Sequence, residues 1–215
     1  MVRLICLAIG YLFGLFQTSY IYGRIHGIDI REHGSGNAGT TNALRTLGLK
    51  AGLITFAGDC LKCILAVVTV RLLFGASHAE YIRLLGLYAA AGTILGHNFP
   101  CYLNFRGGKG IAATAGLIIS FDWRLTIAGI IVFFTVFFVT HYVSLGSMLV
   151  YVMFMGGTVL LGQLGAFGME QAYLYEMYAV AAFLTVMAVY RHRANIVRLI
   201  HGNENQTYLS SKHKK

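Results

Sequence analysis

Long apolar runs dominate the chain, and short polar segments punctuate them. A transmembrane helix needs about 20 apolar residues, within a range of roughly 17–25. By that measure the pattern predicts spans near residues 3–23, 52–74, 81–98, 111–121, 125–142, 146–163 and 173–190. The fourth is short; a span of that length must tilt, thin the bilayer or lean on its neighbours. The expected fold class is therefore an all-α integral membrane protein with seven transmembrane helices, six being the alternative count. A single domain over residues 1–215 is expected. The run from Leu4 to Tyr22 suffices as a span in its own right, and no small-residue cleavage site marks it as a signal peptide.

Composition agrees: only 12% of the 215 residues are charged, about half the share usual in soluble domains. The net charge of +9 raises nucleic acid as a partner, but the cations are placed as a membrane protein places them. Arg24, Arg31, Arg45, Lys50, Arg106 and Lys109 fall on one side of the predicted spans, as do Arg191, Arg193, Arg198, Lys212, Lys214 and Lys215. The other side holds only Arg3, Arg71, Arg83 and Arg124. The positive-inside rule makes the rich side cytoplasmic, with the N-terminus outside and the C-terminus inside. Cys60 and Cys63 form a CxxC within an apolar helix, without the second Cys or His pair that a zinc or redox site requires. All four cysteines read as small apolar filler.

Three polar segments carry candidate chemistry, all on the basic side. The first, His33–Arg45, interleaves Gly34, Gly36 and Gly39 with Ser35, Asn37, Thr40, Thr41 and Asn42. It suits a loop whose amides and hydroxyls face an anion, followed by a short interfacial helix over 40–47 that carries Arg45. The second, Gly96–Gly110, holds the chain's one proline and ends Arg106-Gly107-Gly108-Lys109-Gly110. Two cations around a curled backbone, with a span starting at once, suggest a nest of N–H donors for phosphate. The third, Tyr190–Glu204, begins with arginines that ordinary stop-transfer charge explains. Asn195 and Glu204 ask for another account, and Ile196, Leu199 and Ile200 form a stripe suited to the headgroup region. Within the membrane, Asp59 and Lys62 lie three apart and can pair; such a pair is costly, which makes a functional role the first hypothesis.

Taken together, the three segments resemble the bacterial acyl-phosphate:glycerol-3-phosphate acyltransferase family. The resemblance rests on Gly34–Arg45, Gly96–Gly110 and His192–Glu204, in order and on one face, with Arg106 standing where the family usually has lysine. It implies transfer of a fatty acyl group from acyl phosphate to glycerol 3-phosphate, giving lysophosphatidic acid at the cytoplasmic face of the bacterial inner membrane. No carboxylate or His cluster has metal-ligand spacing, so no metal is expected, nor any cofactor. The expected partners are the two substrates, the lipid bilayer and the soluble enzyme that makes acyl phosphate; a monomer is expected, and no nucleic acid. Ser35, Arg45, His97, Lys109 and Asn195 are the expected catalytic residues. Gly36, Asn37, Gly39, Thr41, Asn42, Arg106, Gly107, Gly108, Gly110, His192, Gly202 and Glu204 are the expected substrate-binding residues. Among these, the Gly107–Gly110 nest and Ser35 would take the acyl phosphate, and Arg45, Lys109 and Asn195 the glycerol 3-phosphate. His97 is either a general base or a brace for its loop.

The chain lacks the His-x4-Asp dyad of another glycerol-phosphate acyltransferase class. Its aspartates, at 29, 59 and 122, are too scattered for the metal cluster of a CDP-alcohol phosphotransferase. A transporter for a small anion or phosphate ester is the alternative reading. It would call for repeated halves or helices interrupted at mid-membrane.

Overall fold

A computed structural model describes residues 1–207, so Lys212, Lys214 and Lys215 lie outside the described residues. These residues form ten α-helices joined by loops and 3-10 turns: α1 (Val2–Gly14), α2 (Thr18–Ile25), α3 (Thr40–Leu47), α4 (Leu49–Phe74), α5 (Ile82–Asn98), α6 (Ile111–Phe121), α7 (Trp123–Thr140), α8 (Val143–Gln163), α9 (Gln171–Arg191) and α10 (Arg193–Ile200). Five stretches are long and apolar enough to cross a membrane: Val2–Ile25, Leu49–Phe74, Trp123–Thr140, Val143–Gln163 and Gln171–Arg191. Exposed Leu72, Ile131, Phe138 and Val139 illustrate the apolar surface these helices turn outward. The expected spans at 81–98 and 111–121 correspond to the shorter helices α5 and α6.

The expected first span is not one continuous helix. It breaks between Gly14 and Thr18, and the polar side chain of Gln17 is fully buried in the break. An interrupted helix inside an apolar bundle persists only if its freed carbonyls find donors. Gln17 Nε2 lies 3.1 Å from Gly14 O and His97 O and 3.3 Å from Gly96 O. Lys62 Nζ donates to Phe16 O at 2.7 Å.

The crossing of α1 and α5 is built from glycine. Gly10 and Gly14 on α1 face Gly92 and Gly96 on α5, both pairs at GxxxG spacing. A Cβ at Gly10 would overlap Ala89 O, one at Gly92 would overlap Leu7 O, and one at Gly96 would overlap Tyr11 O. Lipid supplies no hydrophobic drive for helix association, so this close backbone approach provides the packing instead. The same device brings α6 onto α4: a Cβ at Gly116 would overlap Cys60 O. Buried Cys60 and Cys63 thus act as the small side chains expected of them, as does buried Cys6; Cys101 is the exception, exposed in a loop.

Helix α6 has 11 residues, about 16 Å at 1.5 Å per residue, against a hydrocarbon core of about 30 Å. Its free C-terminal carbonyls are met by arginines from two neighbours, Arg71 of α4 on Ser120 O and Arg83 of α5 on Phe121 O. Positive charge at a helix C-terminus also complements the helix dipole. Asp122 then starts α7, accepting from Arg124 N at 2.9 Å. Arg3 pairs with Glu176, while Arg83 and Arg124 pair with Asp122. Three of the four cations predicted for the basic-poor side are thereby balanced by acids.

Replacing Gly92 with leucine forces α1 and α5 apart. A loss of about 1–3 kcal/mol of stability is expected, as for overpacking generally, read as an earlier midpoint in SDS unfolding of the purified protein.

Candidate active site

The three polar segments converge at one end of the bundle, and each is shaped by its own sequence. In the first loop, Gly34 and Gly36 have positive φ, which lets the chain turn tightly over the buried Asn42 side chain. Asn42 Nδ2 donates to Ile30 O and His33 O, both at 3.0 Å, and its Oδ1 accepts from Ser35 N at 2.9 Å. Asn42 is therefore a brace within the loop, where a substrate contact was expected. Ser35 and Gly36 stand exposed at the crown, with Asn37 half-buried. Gly39 starts α3, and a Cβ there would press on Asn37 Nδ2 at 2.8 Å. Helix α3 occupies 40–47 as predicted, with Thr41 half-buried and Arg45 exposed in its last turn. Arg45 reaches across to the C-terminal segment, donating to Asn205 O at 3.2 Å and Thr207 Oγ1 at 2.6 Å.

The glycine-rich loop departs from the expected nest. The Gly107 and Gly108 amides donate inward, to Asn98 O at 3.3 Å and His97 O at 3.1 Å, so they are not free for an anion. These glycines serve close packing. A Cβ at Gly107 would overlap His97 O, and one at Gly108 would overlap the His97 ring and crowd Ala38 O of the first loop. Gly110 takes a left-handed φ of 79° to launch α6. Helix α6 starts directly after this loop, and the N–H groups of its first turn are ones no helix satisfies internally. Arg106 is exposed on this loop.

His97 is only 3% exposed. Its Nδ1 is 2.9 Å from Lys62 Nζ, and its ring lies beneath Gly108. A buried and engaged imidazole cannot serve as general base to a substrate hydroxyl, so the bracing role is the one the geometry supports.

The third segment closes the site. Lys109 Nζ donates to Asn195 Oδ1, and Asn195 Nδ2 donates to Glu204 Oε1 at 2.6 Å. Glu204 also accepts from Ser144 Oγ at 2.9 Å and Arg198 Nε at 2.7 Å. Gly202 (φ 69°) makes this possible, ending α10 with Gly202 N on Leu199 O and Asn203 N on Arg198 O. That pairing is a Schellman turn, which folds Glu204 back over its own helix. Gly202 thus acts through the backbone and not as a substrate contact. His192 is buried, with Nδ1 2.8 Å from Ala188 O.

Charge makes the site's character plain. Burial pushes the Lys109 ammonium down to about 8; Glu204 opposes that fall, while Arg198, Arg191 and Arg45 add to it. Burial, with Lys109 nearby, takes His192 down to about 4, so its imidazole is neutral at physiological pH. Burial alone would raise the Glu204 carboxyl, but hydrogen bonds from Asn195, Arg198 and Ser144 outweigh it and hold the group ionised. Three cations, Arg45, Lys109 and Arg198, therefore gather around the Glu204 carboxylate, with Arg191 beside Lys109. Such a cluster is built for anions.

Arg191 is the residue that sequence reasoning undervalued. Beyond anchoring α9, its guanidinium donates to Gly107 O at 3.2 Å and Gly108 O at 2.6 Å, and lies over the Phe99 ring. Arg198 and Ser144 were likewise passed over as partners of Glu204. An isolated arginine after an apolar run looks the same whether it stops transfer or clamps a loop.

A family model described as glycerol-3-phosphate acyltransferase matches residues 4–202. A glycerol-3-phosphate acyltransferase of Clostridioides difficile is 41% identical over 210 residues, covering 94% of each chain. One of Bacillus subtilis is 40% identical over 197 residues, covering 91% of this chain and 93% of its own. Among solved structures, the glycerol 3-phosphate form of PlsY (YgiH), an integral membrane glycerol 3-phosphate acyltransferase, superposes with a TM-score of 0.81 at 27% identity. It covers 97% of this chain and 96% of its own. The lysophosphatidic acid form superposes with a TM-score of 0.78 at the same identity and coverage. With three motif segments folded into one cationic site and relatives alike over nearly their whole length, the chain belongs to the glycerol-3-phosphate acyltransferase family.

Proposed function

We propose that this membrane enzyme takes its acyl group from acyl phosphate and delivers it to the 1-hydroxyl of glycerol 3-phosphate, releasing lysophosphatidic acid and phosphate. The observation that carries the reading is the gathering of Arg45, Lys109 and Arg198 around Glu204, with Arg191 beside Lys109, at the end of the bundle where the glycine-rich loops meet. Two anionic substrates require such an excess of fixed positive charge. A glycerol 3-phosphate form and a lysophosphatidic acid form of the structural relative support acceptor and product.

In the proposed reaction the acceptor hydroxyl oxygen attacks the acyl carbonyl carbon, the bond from that carbon to the phosphate oxygen breaks, and the hydroxyl proton ends on the departing phosphate. Acyl phosphate is a mixed anhydride with its leaving group built in, so neither a covalent acyl-enzyme nor a cofactor is required. Alignment of two bound reactants can supply roughly 7–11 kcal/mol, and fixed donors on developing charge add more. Arg45, Lys109 and Asn195 hold the glycerol 3-phosphate. Ser35 and the first turn of α6 hold the acyl phosphate, with the exposed Gly36, the half-buried Asn37 and Thr41, and Arg106 lining the approach. His192, neutral and anchored through Nδ1, adds a ring whose other nitrogen can accept a hydrogen bond.

The topology follows the charge. Seven spans, counting α1–α2 as one and α5 and α6 as two, put the N-terminus outside and the site on the cytoplasmic face of the inner membrane. The chain acts as one domain and one subunit, receiving acyl phosphate from the soluble enzyme that makes it.

Labelled glycerol 3-phosphate offered with palmitoyl phosphate, palmitoyl-CoA or palmitoyl-carrier protein, in EDTA, is expected to give lysophosphatidic acid from the acyl phosphate alone. Product from a thioester alone would replace the donor, and no product from folded protein would remove the reading. Lys109→Met should raise KM for glycerol 3-phosphate by about ten- to a hundredfold, the value of one hydrogen bond to a charged group. Because Lys109 gives up its proton near 8, kcat/KM for glycerol 3-phosphate should fall as pH rises through that value. Lys109→Arg, which stays charged, should move the fall to higher pH. Gly108→Ala should abolish most turnover, since its Cβ displaces the His97 ring from beneath the loop.

A further inference from the structure

Asp59 and Lys62 are the most deeply buried charged groups among the described residues, 1% and 4% exposed, and nothing in the proposed chemistry uses them. They pair at 2.8 Å on successive turns of α4. Thr18 Oγ1 donates to Asp59 Oδ1 at 3.0 Å, tying in the start of α2. Lys62 Nζ spends its donors on three elements at once: Asp59, Phe16 O in the broken first span, and His97 Nδ1 at 2.9 Å. An ammonium has donors only, so Nδ1 accepts and the His97 proton sits on Nε2.

From His97 the connection to the site is one residue long. Its carbonyl accepts from Gly108 N at 3.1 Å and from Gln17 Nε2, and its ring fills the space beneath Gly108 that a Cβ would occupy. Arg191 holds the same two glycines through their carbonyls. The next residue is Lys109.

We propose that Asp59 and Lys62 are positioning residues for acyl transfer, fixing the tautomer and seat of His97 so that the Gly107–Gly108 backbone presents Lys109 and the first turn of α6 in reactive register. This rests on the proposed acyltransferase reading. The bland alternative is an ion pair needed only for folding. In that case replacing both charges together should cost stability at most and leave the turnover of the folded enzyme unchanged.

The test uses the full-length protein in lipid nanodiscs. Lys62→Met leaves Asp59 unpaired and is expected to lose both stability and turnover. The double variant Asp59→Asn/Lys62→Met has no unpaired charge. It is expected to melt cooperatively, below the wild type because Phe16 O loses the Lys62 donor, while kcat of the folded enzyme at saturating substrates stays at least roughly tenfold down, the scale of a small misplacement. A stable double variant with wild-type turnover overturns the proposal. Should that variant not fold, 15N-histidine NMR of the unaltered protein decides. His97 is expected to show protonated Nε2 and unprotonated Nδ1, with both signals moving when inorganic phosphate fills the site. The opposite tautomer, or signals indifferent to phosphate, also overturns it. Wild-type turnover is the control: its absence removes the acyltransferase reading itself, whereas an active wild type beside a slow double variant supports the positioning role.

Discussion

The structure depends on how one interruption in an apolar helix is satisfied. Between Gly14 and Thr18 the first span stops being helical, and its carbonyls turn toward α4 and α5. Inside a bundle that faces lipid there is no water to meet them. Lys62 and Gln17 do so instead, and both are locked in place by what they touch: Lys62 by Asp59 and His97, Gln17 by the carbonyls at the end of α5. The break therefore fixes the relation of α1, α2, α4 and α5.

Glycine then carries that rigidity to the site. The α1–α5 crossing is close because four glycines line it, and the end of α5 is where the glycine-rich loop begins. Gly107 and Gly108 pack against His97, with Arg191 holding their carbonyls. A loop gripped through both its amides and its carbonyls loses little conformational freedom when substrate arrives, and so can present charge in a fixed geometry. The flexible nest suggested by the residue types is, in three dimensions, a packed ledge.

At the surface of that ledge the electrostatics are asymmetric by design of the fold. Glu204 is the one carboxylate in the group, and its oxygens are taken by Asn195, Ser144 and Arg198. It holds Asn195 and the α10 turn, and the cations around it outnumber it. His192, neutral through burial, adds no repulsion to Lys109. The result is a cationic cluster whose lysine is close to losing its proton, a consequence of burial first and of the neighbouring arginines second.

Much of this was legible in the sequence. Apolar runs of span length, the Gly34–Arg45, Gly96–Gly110 and His192–Glu204 motifs, the helix over 40–47 and the Asp59–Lys62 pair all depend on local composition and spacing, which a linear chain displays. What the chain could not display are the outcomes set by neighbours distant in sequence. Whether the Gly107 and Gly108 amides face an anion or His97, whether Asn42 meets substrate or its own loop, and whether Arg191 is an anchor or a clamp are decided by contacts between residues 7 to 84 positions apart. The break at Gln17 is of the same kind, because a helix yields only where other helices supply the hydrogen bonds it gives up. Sequence determined which residues could do chemistry and on which face they gather. Tertiary structure decided which of them are held inside as braces and which are left facing outward, because a buried polar group must be satisfied by whatever the fold brings within about 3 Å.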